Sequence, residues 1–83
     1  MKLKYFAWLK DEVGCEEEEI ALPVEINTVG GLINWLSQRN PRYEQAFEFI
    51  DVVKVVVNQT YVEYDHPIKN DDEVIFIPPI AGG

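Results

Sequence analysis

Val52-Val53-Lys54-Val55-Val56-Val57 is the most strongly β-forming stretch of this chain. Five of its six residues are valine, whose Cβ branching stiffens χ1 and suits a pleated, half-buried surface. The stretch is read as a central strand, and the flanking segments are read outward from it. Downstream, Asn58-Gln59-Thr60 is a turn, Tyr61 to Tyr64 a short strand and Asp65-His66-Pro67 a second turn. Lys69-Asn70-Asp71-Asp72 then leads into a final strand, Glu73 to Ile77.

Upstream, Tyr43, Ala46, Phe47 and Ile50 recur at helical spacing and predict a short helix after Asn40-Pro41. Before it, Thr28 is a favourable N-cap, and Val29, Leu32, Ile33 and Leu36 follow the i, i+3, i+4, i+7 template of the main helix. Gly30 and Gly31 in its first turn are poor helix formers and predict a place where another part of the chain comes close. The chain opens with period-two alternation from Lys2 to Leu9, read as a strand. Lys10 to Gly14 is read as a turn and Glu17 to Leu22 as a second strand, ended by Pro23. The run Glu16 to Glu19 is a charged strand edge that discourages aggregation, or else a contact for a basic partner.

Two strands, one or two helices and then three strands predict an α+β fold of the β-grasp type, with the main helix on one sheet face and the first and last strands side by side at the centre. Alternation assigns Leu3, Tyr5, Ala7, Val53, Val55, Val57, Val74 and Phe76 to the covered face. The other face receives Phe6, Trp8, Val56, Ile75 and Ile77 among Lys4, Lys54 and Glu73. A contiguous apolar patch of that kind on a small domain marks a protein interface.

With 83 residues there is room for one core, and 47% hydrophobic residues argue for a folded chain. No apolar run reaches the roughly 20 residues of a membrane helix, and the start lacks the apolar core of a signal peptide, so a cytoplasmic location is expected. A net charge of −8 argues against nucleic acid and anionic membranes as partners. Cys15 is the single cysteine and His66 the single histidine, so neither has a neighbour at metal-ligand or redox spacing; Cys15 is read as a passive thiol and His66 as a turn residue. No phosphate loop, Cys/His cluster or Ser/His/Asp motif stands out, and neither a metal nor a bound cofactor is expected.

The chain ends Phe76-Ile77-Pro78-Pro79-Ile80-Ala81-Gly82-Gly83. Two prolines stop the strand and stiffen the backbone beyond it, whereas Gly82 and Gly83 suit a slot too narrow for a side chain. The division expected is a domain over residues 1–77 and a flexible, extended tail over residues 78–83.

Val57-Asn58-Gln59-Thr60, Asp65-His66-Pro67, Asp72-Glu73-Val74, the opening Tyr5-Phe6-Ala7 and the terminal octapeptide together resemble the small, sulfur-carrying subunits of molybdopterin synthases, ubiquitin-like β-grasp proteins. One departure is Asn70-Asp71-Asp72, where such proteins often carry a turn glycine. The resemblance implies that Gly83, presented by Gly82, is adenylated by a ubiquitin-activating-like adenylyltransferase using ATP and converted by a sulfur donor to a thiocarboxylate. It further implies a heterotetrameric synthase whose large subunit receives the tail and passes the sulfur to cyclic pyranopterin monophosphate. Phe6, Tyr61 and Ile77, with Pro78, Pro79, Ile80 and Ala81, are then the partner contacts. The alternatives are a carrier for thiamine or tRNA thiolation, a ubiquitin-like modifier joined to lysines, or a β-grasp interaction module with an incidental tail.

Overall fold

The computed structural model describes residues 1–79 and runs β1 (Lys2–Tyr5), α1 (Ala7–Val13), β2 (Glu17–Glu19), α2 (Val29–Arg39), α3 (Pro41–Ala46), a 3-10 turn (Ile50–Val52), β3 (Lys54–Val57), β4 (Thr60–Val62) and β5 (Glu73–Ile77). The five strands form one sheet in the order β2-β1-β5-β3-β4. All neighbours are antiparallel except β1 and β5, which pair in parallel from Lys2↔Glu73 to Tyr5↔Phe76. This is the expected β-grasp order, with β5 as the middle strand and β3 beside it.

Registry explains the core. Leu3, Val74 and Val57 fall in one cross-strand row, and Tyr5, Phe76 and Val55 in the next. All six are buried, and Tyr5 stacks on Phe76 with ring centroids 5.7 Å apart. Phe47 meets Phe76 edge-on at 5.1 Å, adding the α3 end of the helical layer to the same cluster. Each such side chain contributes about 1.5–3 kcal/mol by leaving water. From α2, Val29, Leu32, Ile33 and Leu36 are buried as the heptad-like spacing predicts, and Thr28 Oγ1 accepts the Gly31 N–H at 3.1 Å as the N-cap. At Gly30 another part of the chain does come close. Gly30 N–H donates to the Tyr64 carbonyl at 2.8 Å, and a Cβ there would stand 3.4 Å from that oxygen.

Several boundaries differ from the sequence reading. The opening strand ends at Tyr5 rather than Leu9, because Ala7 takes a left-handed φ of 53° and the Leu9 N–H turns back to the Phe6 carbonyl. Ala7 is therefore exposed and not part of the covered sheet face, and Leu9 is buried from α1 together with Val13. Residues 10–14 are the end of this helix, not a free turn. Gly14 closes it at φ 96°, and the Arg42 guanidinium takes the orphan carbonyls of Asp11 and Glu12 at 3.0 Å each. Leu9 and Val13 at i and i+4 followed by glycine are a helix-stop signal that strand alternation over eight residues masks. The second strand stops at Glu19 rather than Leu22, since its pairing with β1 ends at Lys2↔Glu19. Val52 belongs to the 3-10 turn and Val53 precedes β3. The short strand shifts to Thr60–Val62, the Tyr64 carbonyl being engaged by Gly30.

The acidic run holds a feature that charge patterning hides. Strand alternation turns Glu18 toward the helical layer, where it accepts Tyr5 O–H at 2.9 Å, Tyr43 O–H at 2.5 Å and Arg39 Nη2 at 3.2 Å. Burial, then the Glu18 carboxylate, raises the Tyr5 phenol far above its ordinary value; burial and the hydrogen bond to Glu18 do the same for Tyr43. Both phenols stay protonated as donors. Burial, reinforced by Glu18, also raises the Cys15 thiol, which agrees with the passive role expected for it.

The β3–β4 turn sets Asn58 and Gln59 at φ 48° and 73°, the primed geometry that usually recruits glycine at its second position. Asn58 is fastened there: its side chain donates to Asp72 Oδ1 at 2.9 Å and accepts the Glu73 N–H at 3.0 Å. Gln59 has no such compensation among the described side-chain hydrogen bonds, so Gln59→Gly should raise stability by up to about 1 kcal/mol in denaturant unfolding. Asp72 also accepts the Lys69 N–H at 2.9 Å. Burial pushes its carboxyl upward, but the hydrogen bonds from Asn58 and Lys69 and the nearby Lys69 charge outweigh it and hold the group below its ordinary 3.8. A depressed folded value means stability that is complete above the unfolded carboxylate range and is lost as pH falls through the folded value. Melting curves from pH 5 downward should therefore show a steeper acid loss in the parent chain than in Asp72→Asn, most of it below pH 3.8.

Candidate docking face and tail root

Helices cover one side of the sheet, and registry defines what the other side presents. Glu17, Lys4, Ile75, Val56 and Tyr61 form one row across all five strands. Ile77 lies two residues further along β5, opposite Lys54. Phe6 remains extended at φ −109°, ψ 158°, and its N–H donates to the Phe76 carbonyl at 3.2 Å. Alternation therefore carries the Phe6 side chain onto this outer face, next in line to Ile77.

Exposure separates the side chains this face presents from those that fill it. Phe6 is 44% exposed and Tyr61 70%, whereas Ile75 and Ile77 are half-buried and Val56 is buried. Val56 therefore supports the face without presenting a surface. Trp8, assigned to this face by alternation, sits on α1 and packs against the core, because the strand ends before it. Phe6 and Ile77 share the corner where β5 ends. Tyr61 stands two strands from β5, about 10 Å across the sheet at the usual strand spacing.

The polar groups around these side chains form a light frame. Lys4 and Glu73 approach at 3.7 Å with about a third of each side chain exposed, a geometry that contributes little stability in water. Desolvating such a pair under a partner costs less than desolvating an isolated charge, so the frame tolerates being covered. Among the described residues no group of three or more His, Cys, Asp or Glu is arranged to hold a metal ion.

Directly after Ile77, Pro78 is buried and Pro79 exposed, so the packed chain extends one residue past the expected domain boundary. Pro79 is thus the first accessible residue after the last strand. The expected contacts Ile80 and Ala81 and the expected reactive pair Gly82 and Gly83 lie outside the described residues.

The model of the ThiS family matches residues 3–83. The molybdopterin synthase sulfur carrier subunit of Escherichia coli is 35% identical over 83 residues, 100% of this chain and 99% of that protein. A solved chain from Pyrococcus furiosus, a candidate molybdopterin converting factor subunit 1, is 34% identical with a TM-score of 0.75, the match covering 95% of each chain. A chain from the Helicobacter pylori complex of subunits 1 and 2 of molybdopterin-converting factor superposes with a TM-score of 0.60 over 99% of this chain and 96% of its own; at 19% identity this likeness concerns the fold.

The burial pattern separates surface from core by substitution. Phe6→Asp and Tyr61→Asp should leave the melting temperature within a few degrees of the parent, while Val55→Asp should unfold the domain by burying a charge without a partner. A loss of the cooperative transition in Phe6→Asp would contradict the outer-face assignment.

Proposed function

The chain belongs to the ThiS family, and on that premise we propose that it is the sulfur carrier subunit of a molybdopterin synthase, active in the cytoplasm and catalytic only together with a large subunit. The observation that carries this reading is the position of the tail root. The last strand is the middle strand of the sheet, and it ends beside the exposed Phe6 on the one sheet face that no helix covers. A partner seated on that face necessarily stands at the base of the tail.

The chemistry assigned to Gly83 rests on the weakness of a carboxylate as an electrophile. Its reference pKa of about 3.5 leaves it anionic at neutral pH. A ubiquitin-activating-like adenylyltransferase attaches AMP through one carboxylate oxygen, with pyrophosphate leaving from ATP. A sulfur donor then displaces AMP, and the resulting thiocarboxylate carries a nucleophilic sulfur. Delivered into the active site of the large subunit, this sulfur is transferred to cyclic pyranopterin monophosphate in forming the dithiolene of molybdopterin. Two sulfurs are required, so spent carriers are exchanged for charged ones within a heterotetramer.

This chain contributes presentation. Phe6, Tyr61 and Ile77 supply the apolar contact, and Pro79, Ile80 and Ala81 line the route of the tail. Beyond the buried Pro78 come five residues, Pro79 to Gly83, and a stretch of that length fully extended spans about 17 Å. Any active site that handles Gly83 must lie within that distance of the docking face. The proline at the start of this span lowers the conformational entropy lost on threading, and the terminal glycines keep it slim.

Two changes at the tail test the reading. Deleting Gly83, or appending one residue to it, should abolish sulfur transfer while the melting transition stays nearly unchanged. Intact mass of the activated parent chain should show one oxygen replaced by sulfur. Molybdopterin formation with the truncated chain would sink the proposal, as would a covalent adduct to a target lysine in place of the thiocarboxylate.

A further inference from the structure

A second surface feature lies on the helical side of the molecule. Trp8 and Glu12 stand at i and i+4 on α1, facing Gln45 on α3 and Glu48 and Phe49 in the turn after it, and these five residues line an open groove of about 500 Å³. Phe49 is 64% exposed, and Trp8 is half-buried with its inner side against the core. Glu12, Gln45 and Glu48 are exposed. The groove thus combines two aromatic rings, two carboxylates and an amide. No lysine, arginine or histidine is among its lining residues.

The charge balance identifies what complements it. Among the described residues the ion pairs are Lys4 with Glu73 and Arg39 with Glu18, so Glu12 and Glu48 have no cationic partner. Arg42, which touches the Glu12 backbone, commits its guanidinium to the carbonyls that close α1. The molecule as a whole carries a net charge of −8.

The fold itself contains the complete version of this arrangement. The Arg39 guanidinium lies 5.2 Å from the Trp35 ring centroid and 5.0 Å from that of Tyr43, and it reaches Glu18 at 3.2 Å. Two rings and a carboxylate hold one planar cation. In the α1–α3 groove the rings and carboxylates are present and the cation has to come from outside. We propose that this groove docks an arginine side chain presented by a basic segment of a partner protein, the guanidinium lying against Trp8 and Phe49 and pairing with Glu12 and Glu48.

Arginine fits better than lysine because its planar, weakly hydrated group can stack on a ring and donate in two directions at once. The groove is too open to bury a free small molecule, which favours a side chain delivered on a larger surface. Position adds to this. The helix carrying Trp8 starts directly after Phe6, at the end of the sheet where β5 finishes, yet the groove is on the side away from the outer face. The proposal does not depend on sulfur transfer, and its failure would leave that reading untouched.

The test is an NMR titration of the full chain with a blocked Ala-Arg-Ala peptide, following the Trp8 indole and Phe49 ring signals. Matched peptides with lysine, and with citrulline as the neutral isostere of arginine, serve as controls. The expected result is a saturable shift with the arginine peptide, a weaker one with lysine and none with citrulline. Glu12→Gln combined with Glu48→Gln should weaken binding about tenfold, and so should Phe49→Ala, with unchanged melting temperatures because these side chains are exposed. Shifts that fail to saturate, that spread evenly over the acidic surface, that citrulline reproduces or that survive the paired glutamine substitutions would overturn the proposal.

Discussion

The parallel pairing of β1 with β5 is the constraint on which the rest of this molecule depends. Parallel neighbours cannot be joined by a tight turn, so everything between Tyr5 and Glu73 has to be accommodated as a crossover. The helices fill that crossover and cover one sheet face, while β2 and β3 extend the sheet on either side. The same pairing brings residues from the two ends of the sequence into one cluster, with Tyr5 stacked on Phe76 and Phe47 closing the edge. It also sets Phe6 beside the strand that leads into the tail. Core and uncovered face are two sides of one register.

Around that core, polar groups tie the segments that hydrophobic burial leaves unspecified. Glu18 gathers Tyr5, Tyr43 and Arg39, linking β2 to β1, α2 and α3. Asn58 and Asp72 lock the β3–β4 turn to the entry of β5. Arg42 closes α1. Among the described residues no buried side-chain nitrogen or oxygen is left without a hydrogen-bond partner. This matters in an acidic chain, because a carboxylate turned inward is tolerated only when donors meet it. The remaining acidic side chains stay at the surface, where they give the molecule its field and, in the α1–α3 groove, its complementarity to a cation.

The parts of the fold that were legible were those carried by long or chemically unambiguous signals. The Thr28 cap, the Val29 to Leu36 apolar stripe and the bounds of Glu73–Ile77 appear in the structure as read. Short segments compatible with two periodicities were less readable. Lys2 to Leu9 alternates like a strand, yet Leu9 and Val13 also satisfy a helical face, and the choice between them came from where β1 runs out of partners. The same ambiguity placed Trp8 on the outer sheet face and left Glu18 looking like one more solvated charge. On the uncovered sheet face Phe6 and Tyr61 are exposed while Val56 is buried, a distinction that alternation does not make.

By itself, the sequence determined the type and order of most elements, the acidic character of the surface and the membership of a family whose residues concentrate at the two ends of the chain. These properties come from local chemistry: branching at Cβ, capping, apolar spacing, charge. Only the tertiary structure decided that the chain leaves β1 at Tyr5 to form a helix, that Pro78 is buried, that Glu18 faces inward and that Trp8 and Phe49 line one groove. Each of these brings together residues far apart in the chain, and such pairings are selected by packing and registry across strands and helices, which no local window of sequence contains.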